Sequence, residues 1–444
     1  MTHVLHRNLR IDPEFAASGE GLTLTLADGR RVIDAAGGAA VACLGHGNPR
    51  VIAAITAQAK KLDYVHTMFV TSDPAEQLAD EILGHEPGGL THAFFTSSGS
   101  EAMESALKMA RQYYVERGET DRVHFISRRQ SYHGNNFGTM AVSGHLARRA
   151  PYEAILPTGF SHVSPCFPYH YQAPTESDAD YVVRLAAELE AEFQRVGPQR
   201  VIAFVAETVV GATAGCVTAV PGYFPAIREV CDRHGALLIL DEVMCGMGRT
   251  GTTHAWEQEG VTPDLQAVAK GLGGGYAPVG ALLVGRKVVA ALSAGSGAFV
   301  HGHTYQAHPI ACAAALEVQR IIREEDLLAN VQAMGARLQA GLETALGQHA
   351  HVGDIRGRGL FRALEIVADR NTRRPFAAAA GVGGRLKAAG LANGIAIYPS
   401  SGTVDGVLGD HVIVAPPYNV TAAQVDEIVE RTVAMVADAM TGIV

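Results

Sequence analysis

A lysine at the end of an apolar strand is a candidate nucleophile, and this chain holds one in Lys270. Leu265-Gln266-Ala267-Val268-Ala269 reads as a buried strand, and Gly271-Leu272-Gly273-Gly274-Gly275 follows the lysine directly. Burial disfavours the ammonium form and leaves an amine able to attack a carbonyl carbon. From this segment alone a surface lysine beside a flexible loop fits equally well. One strand earlier, Ala236-Leu237-Leu238-Ile239-Leu240 runs straight into Asp241-Glu242. Ser97-Ser98-Gly99-Ser100-Glu101 lies between the apolar run 92–96 and a helical pattern over 100–116. Free backbone N–H groups and the helix dipole make such a junction an anion site, with the serine hydroxyls as further donors. Ser98 or Ser100 would serve equally as an ordinary helix cap. Tyr132-His133-Gly134 follows the run 123–126. An aromatic ring there can stack on a flat cofactor or pack into the core.

These residues need a scaffold that gathers strand ends. Apolar runs at 92–96, 123–126, 201–205, 236–240, 265–269 and 281–284 read as buried strands, with amphipathic helical patterns at 100–116, 181–195 and 223–234 between them. Strand, helix, strand at this spacing predicts an α/β fold with a largely parallel central sheet covered on both faces. Right-handed crossovers bring the strand ends to one edge, where ligands bind. The chain ends differ. A strand pair around 22–24 and 32–33, turned by Asp28-Gly29, precedes a helix from Pro49. After about His308 a long helical stretch is expected to reach Gly347, with short strands and a last helix over 422–440 beyond it. The simplest division is a large domain over 63–308 and a smaller α+β domain built from 1–62 and 309–444, the latter including the connecting helix.

Of 444 residues, 48% are hydrophobic and 18% charged, a balance that buries a core and excludes a disordered chain. The formal net charge of −9 comes without a basic run, so no nucleic-acid partner is expected. No stretch approaches the ~18 consecutive apolar residues of a membrane helix. The opening Met1-Thr2-His3-Val4-Leu5-His6 lacks the layout of a secretory leader. Cys43, Cys166, Cys216, Cys231, Cys245 and Cys312 are far apart, as expected in a reducing cytoplasm.

In order, the anion-binding helix start, aromatic, strand-end Asp and strand-end Lys resemble the pyridoxal-phosphate aminotransferases of the class III (ω-aminotransferase) family. The resemblance runs from Asp28-Gly29 and Leu44-Gly45-His46 to Pro416-Pro417. Its most specific stretches are Ser98-Gly99-Ser100-Glu101-Ala102, Tyr132-His133-Gly134, Asp241-Glu242-Val243 and Gly248-Arg249-Thr250-Gly251. Pro263-Asp264 ahead of Lys270, His303-Thr304-Tyr305 and His308-Pro309 add to them. The resemblance implies the fold type I of pyridoxal-phosphate enzymes, with pyridoxal 5'-phosphate as cofactor. It implies that Lys270 bonds the cofactor aldehyde and shuttles a proton, and that Asp241 keeps the pyridine nitrogen protonated. Tyr132 and Val243 would flank the ring, and Ser98, Gly99 and Ser100 would hold the phosphate, with His133 and Glu207 beside them. Thr304 would complete the phosphate site of a neighbouring subunit, which implies a homodimer with shared active sites.

The departures bear on substrate. Members that use glutamate carry an Arg just before the Pro-Pro pair to hold a carboxylate. Here Ile413 stands in that place. Many amine–pyruvate members use an Arg earlier in the loop, yet 403–410 holds no basic residue. Glu207 is followed by Thr208 where Pro is common, and it matches a family Glu that pairs, in the glutamate branch, with the Arg replaced here by Ile413. Glu207 is thus expected to be free to contact an amine or hydroxyl of the donor. Met244 resembles the amine–pyruvate branch. The expected reaction moves an amino group from an ω-amino acid or primary amine to a keto acid, pyruvate, by a ping-pong mechanism. A racemase or aminomutase on the same scaffold would share every cofactor residue.

Other motifs fail. Gly246-Met247-Gly248-Arg249-Thr250-Gly251 fits the dinucleotide pattern G-x-G-x-x-G of an oxidoreductase, but no apolar helix pattern follows it. In the stretch 280–287, Arg286 stands where a P-loop needs Lys, and no Ser or Thr follows it. His301, His303 and His308 read as a polar loop rather than a metal site, and Trp256 as core or interface.

Overall fold

A computed structural model describes residues 3–443. Met1 and Thr2 of the amino-terminal reading, and the last position of the 309–444 segment, lie outside them. The amino-terminal strands are β1 (Ala16–Glu20), β2 (Thr23–Leu26) and β3 (Arg31–Asp34). The six expected apolar runs are all strands: β4 (Leu90–Thr96), β5 (His124–Arg128), β7 (Val201–Glu207), β10 (Leu237–Asp241), β11 (Leu265–Val268) and β12 (Gly280–Gly285). A seventh, β6 (Phe160–Val163), joins them, and the short pair β8 (Val209–Val210) and β9 (Val217–Thr218) forms a separate ribbon. The central sheet has the order β4-β12-β11-β10-β7-β5-β6, with β12 antiparallel to both its neighbours and the other pairs parallel.

Both faces of this sheet are buried, which is why its strands read as unbroken apolar runs. Along β10, Leu238 and Leu240 pack into one core with Tyr181, Phe193 and Phe224. Leu237 and Ile239 face the opposite core, with Met103, Tyr114 and Leu282. The alternation is the period of two that a strand imposes.

The chain ends build a second unit of strands: β13 (Val352–Arg358), β14 (Phe361–Ile366), β15 (Ile395–Ala396), β16 (Tyr398–Ser401) and β17 (Asp410–Val414). β1, β2 and β3 form an antiparallel meander, and β15 adds to β3 in parallel, Ile395 opposite Ile33. One apolar cluster joins Leu22, Ile33 and Val51 to Val331, Leu364 and Ile428. The last helix spans Ala422–Met440, as expected. The expected helix reaching Gly347 is instead two, Pro309–Glu324 and Leu327–Leu346. Asp326 between them takes φ 50°, a left-handed conformation that an α-helix cannot continue through. The Gly246–Gly251 stretch forms successive turns and opens no helix, so it offers no dinucleotide cradle. Trp256 is buried and donates from Nε1 to Gln266 at 3.0 Å.

Candidate active site

The parallel register sets charged side chains next to one another at the carboxyl edge of the sheet. Asp241, the last residue of β10, lies opposite Glu207, the last of β7, and opposite Ala267 of β11. Lys270 follows β11 by two residues. Ser97–Ser100 follow β4, and Tyr132 and His133 come four and five residues after β5. The carboxyl ends of five strands and the start of the antiparallel β12 thus meet at one edge, with Gly280 opposite Thr96.

A cavity of about 450 Å³ opens there. Nine of the ten residues expected at the site line it: Ser98, Gly99, Ser100, Tyr132, His133, Glu207, Asp241, Val243 and Lys270. Thr304 does not. It is exposed on the 301–308 loop, where its carbonyl accepts from the Tyr64 hydroxyl at 3.0 Å. His301 of the same loop contacts the Ser105 hydroxyl at 3.0 Å and the His303 ring edge-on.

Lys270 takes φ 44°, which turns the chain sharply at the strand end. Burial pushes its amine down to about 8, against the pull of Asp241 and Glu207, so roughly a tenth of the molecules carry a neutral amine at pH 7. Asp241 is fixed from two sides. One oxygen accepts from the Val243 N–H at 3.0 Å and the other meets His133 Nδ1 at 2.9 Å. The His133 ring is thus spent on Asp241, and its Nε2 is buried without a partner among the described residues. Glu207 is held likewise, its two oxygens accepting from the Tyr132 N–H at 3.1 Å and the Gly211 N–H at 2.8 Å. Burial raises its carboxyl above the usual range, and the Asp241 charge adds to the effect while His133 opposes it.

The helix start has both properties that were read from its serines. Ser98 caps the Gly99–Glu116 helix by accepting from the Glu101 N–H at 3.2 Å. Glu101 reaches back to accept from the Ser97 N–H at 2.7 Å, one residue before the cap. The N–H groups of Gly99 and Ser100 keep no acceptor among the described residues, and both residues face the cavity. A Cβ at Gly99 would lie 2.7 Å from Val243, so only glycine leaves Val243 in place over the cavity.

Sequence reasoning missed several lining residues, among them the polar Arg148, Tyr276 and Tyr398. Arg148 stacks its guanidinium 4.6 Å from the Tyr132 ring centroid. Ile413 is fully buried in an apolar cluster with Met244, Phe361 and Ala415.

Compared with known proteins, residues 7–436 match the family model described as aminotransferase class-III. The chain belongs to the class-III aminotransferases. An uncharacterized aminotransferase of Schizosaccharomyces pombe is 50% identical over 418 residues, covering 94% of this chain and 91% of that protein. A putrescine–pyruvate aminotransferase of Pseudomonas aeruginosa is 34% identical, covering 92% and 87%. The solved (S)-enantioselective ω-transaminase of Thermomicrobium roseum is 34% identical, with a TM-score of 0.93 over 99% of this chain and 96% of that one. These neighbours carry the fold of the type I pyridoxal-phosphate enzymes, and the family depends on pyridoxal 5'-phosphate. The residues of this class-III aminotransferase fit that group. A desolvated amine, a fixed carboxylate and two unspent backbone N–H groups at a helix start match an aldehyde, a pyridine nitrogen and a phosphate.

Proposed function

We propose that this aminotransferase moves an amino group from a primary amine or ω-amino acid to pyruvate in two successive half-reactions at one site, a ping-pong mechanism. The carrying observation is Lys270, a desolvated amine set beside the fixed Asp241 carboxylate. Bound pyridoxal phosphate supplies an aldehyde for the incoming amine and a ring that withdraws electrons from the substrate carbon. Lys270 would hold the aldehyde and, once released, would carry a proton between the substrate carbon bearing nitrogen and the cofactor carbon on the other side of that nitrogen. Asp241, aimed by His133 and the Val243 N–H, would pair with the pyridine nitrogen and stabilise its positive charge. Gly99 and Ser100 would hold the phosphate, and Tyr132 and Val243, which line the same cavity, would flank the ring. The apolar wall at Met244 and Ala212 excludes water and suits an alkyl donor. Glu207, with both oxygens already bonded, contacts the donor only through its remaining lone pairs.

The Pseudomonas relative's name supports the amine donor and the pyruvate acceptor. The reading includes a homodimer in which the partner subunit's Thr304 completes the phosphate site. Met68, Phe69, Val300 and Tyr305, all exposed beside the 301–308 loop or in the 63–72 segment, support a covering copy. It places the enzyme in the cytoplasm, which six buried unpaired cysteines support.

The test is visible absorbance of the protein loaded with pyridoxal phosphate. Excess butylamine should bleach the yellow band and pyruvate should restore it. A folded protein that takes up no yellow band would overturn the Lys270 assignment. Restoration by 2-oxoglutarate and not pyruvate would overturn the acceptor.

A further inference from the structure

We propose that Arg148 binds the carboxylate of the keto-acid acceptor, an inference that rests on the transamination just described. Pyruvate and its amino-acid product carry a carboxylate that a primary amine lacks. The site therefore needs a cation that one half-reaction uses and the other leaves idle. Among the described residues that line the cavity, Lys270 and Arg148 are the only lysine and arginine, and Lys270 is committed to the chemistry.

Arg148 has its donors to spare. Among the described residues its guanidinium makes no hydrogen bond or ion pair, and its contact is the face of Tyr132 at 4.6 Å. The adjacent Arg149 shows the alternative, bonded to both oxygens of Glu153 and to the carbonyls of Ala141 and Ser143. Nor do the cavity's own acids neutralise Arg148. Asp241 is occupied by His133 and Val243, and Glu207 by Tyr132 and Gly211. Stacking on a neutral ring suits the dual task. No ion pair must break when a carboxylate arrives, and a half-buried guanidinium stays wetted when none is present.

The surroundings hold it at the cavity. Arg148 sits on the short Leu146–Arg149 turn of helix. The loop over 402–409 packs on this turn, and a Cβ at Gly406 would come 3.1 Å from Leu146. Tyr398 lines the same cavity, and Ile413, its cross-strand partner, is buried in an apolar cluster and brings no charge. A planar, two-pronged donor facing this space matches a carboxylate.

The experiment compares wild type, Arg148→Gln and Arg148→Lys, each loaded with pyridoxal phosphate. Single-turnover absorbance gives the efficiency of bleaching by butylamine and of recovery with pyruvate, and titration gives the cofactor dissociation constant. The expected result is a tenfold or greater fall in the pyruvate-to-butylamine efficiency ratio for Arg148→Gln. Arg148→Lys should recover part of that ratio, with cofactor affinity within threefold of wild type in both. An unchanged ratio overturns the proposal. An equal fall in both half-reactions with weakened cofactor binding also overturns it, by assigning Arg148 to the phosphate or to the support of Tyr132. If wild type bleaches but no keto acid restores it, the transamination reading itself fails, whatever the variants do.

Discussion

Lys270 carries two burdens, a left-handed backbone and a desolvated amine. Its amine falls from the ordinary 10.5 to about 8 in the folded chain. The unfolded chain therefore holds more protons between about pH 8 and 10.5, and stability of the cofactor-free protein should rise with pH through that window. Below pH 8 the penalty is present in full, on the order of a few kcal/mol. Lys270→Met should accordingly melt higher than wild type at pH 7 and lose that advantage by pH 10.5, as scanning calorimetry of the cofactor-free proteins would show. The same variant should take up no yellow band. Asp241→Asn removes the fixed negative charge and leaves the cavity intact. It should still bind cofactor while slowing the amine half-reaction by roughly 10²–10³-fold in stopped-flow absorbance. Lys270 and Asp241 were legible because each abuts a buried strand. Arg148 was not, since it sits on a four-residue helix and reaches the cavity only through tertiary packing on Tyr132.

At the scale of elements, neighbouring residues of one strand end part company. Asp241 faces the cavity, while Glu242 turns away to accept from Thr208, Ala255, Trp256 and Gln266 at 2.7–2.9 Å. That carboxylate pins the loop after β10, and with it the backbone behind Asp241. Glu242→Ala would strand four buried donors and should lower stability by roughly 2–4 kcal/mol in urea unfolding. Glu242→Gln, which sets an amide N–H₂ against two donors, should recover only part of the loss. The doubly buried strands were readable because nothing in them faces water. β6 escaped notice because Ser161 and His162 interrupt its apolar pattern at the sheet's edge. The break at Glu325-Asp326 escaped because neither residue is Gly or Pro, the usual signs of a helix end.

Across the whole molecule, Arg249 ties the loop after β10 to the unit built from the chain ends. Its buried guanidinium donates to the carbonyls of Leu360 at 3.1 Å and Pro416 at 2.5 Å, and stacks 4.6 Å from the Tyr418 ring centroid. The Tyr418 hydroxyl returns the tie by donating to the Met247 carbonyl at 3.0 Å. Arg249→Ala should lower stability by roughly 3 kcal/mol and broaden urea unfolding, since two buried carbonyls and a ring face lose their partner together. Nothing in the sequence announces this tie, because its groups lie more than a hundred positions apart. The pairing of Ile395 with Ile33 has a consequence during synthesis. On the ribosome, the first three strands emerge early, but the strand that covers their open edge is among the last to be made. Until then Leu22 and Ile33 lack most of their apolar neighbours. The nascent protein thus carries a sticky, half-finished sheet for most of its translation, and the helpers that shield such surfaces have their natural target there.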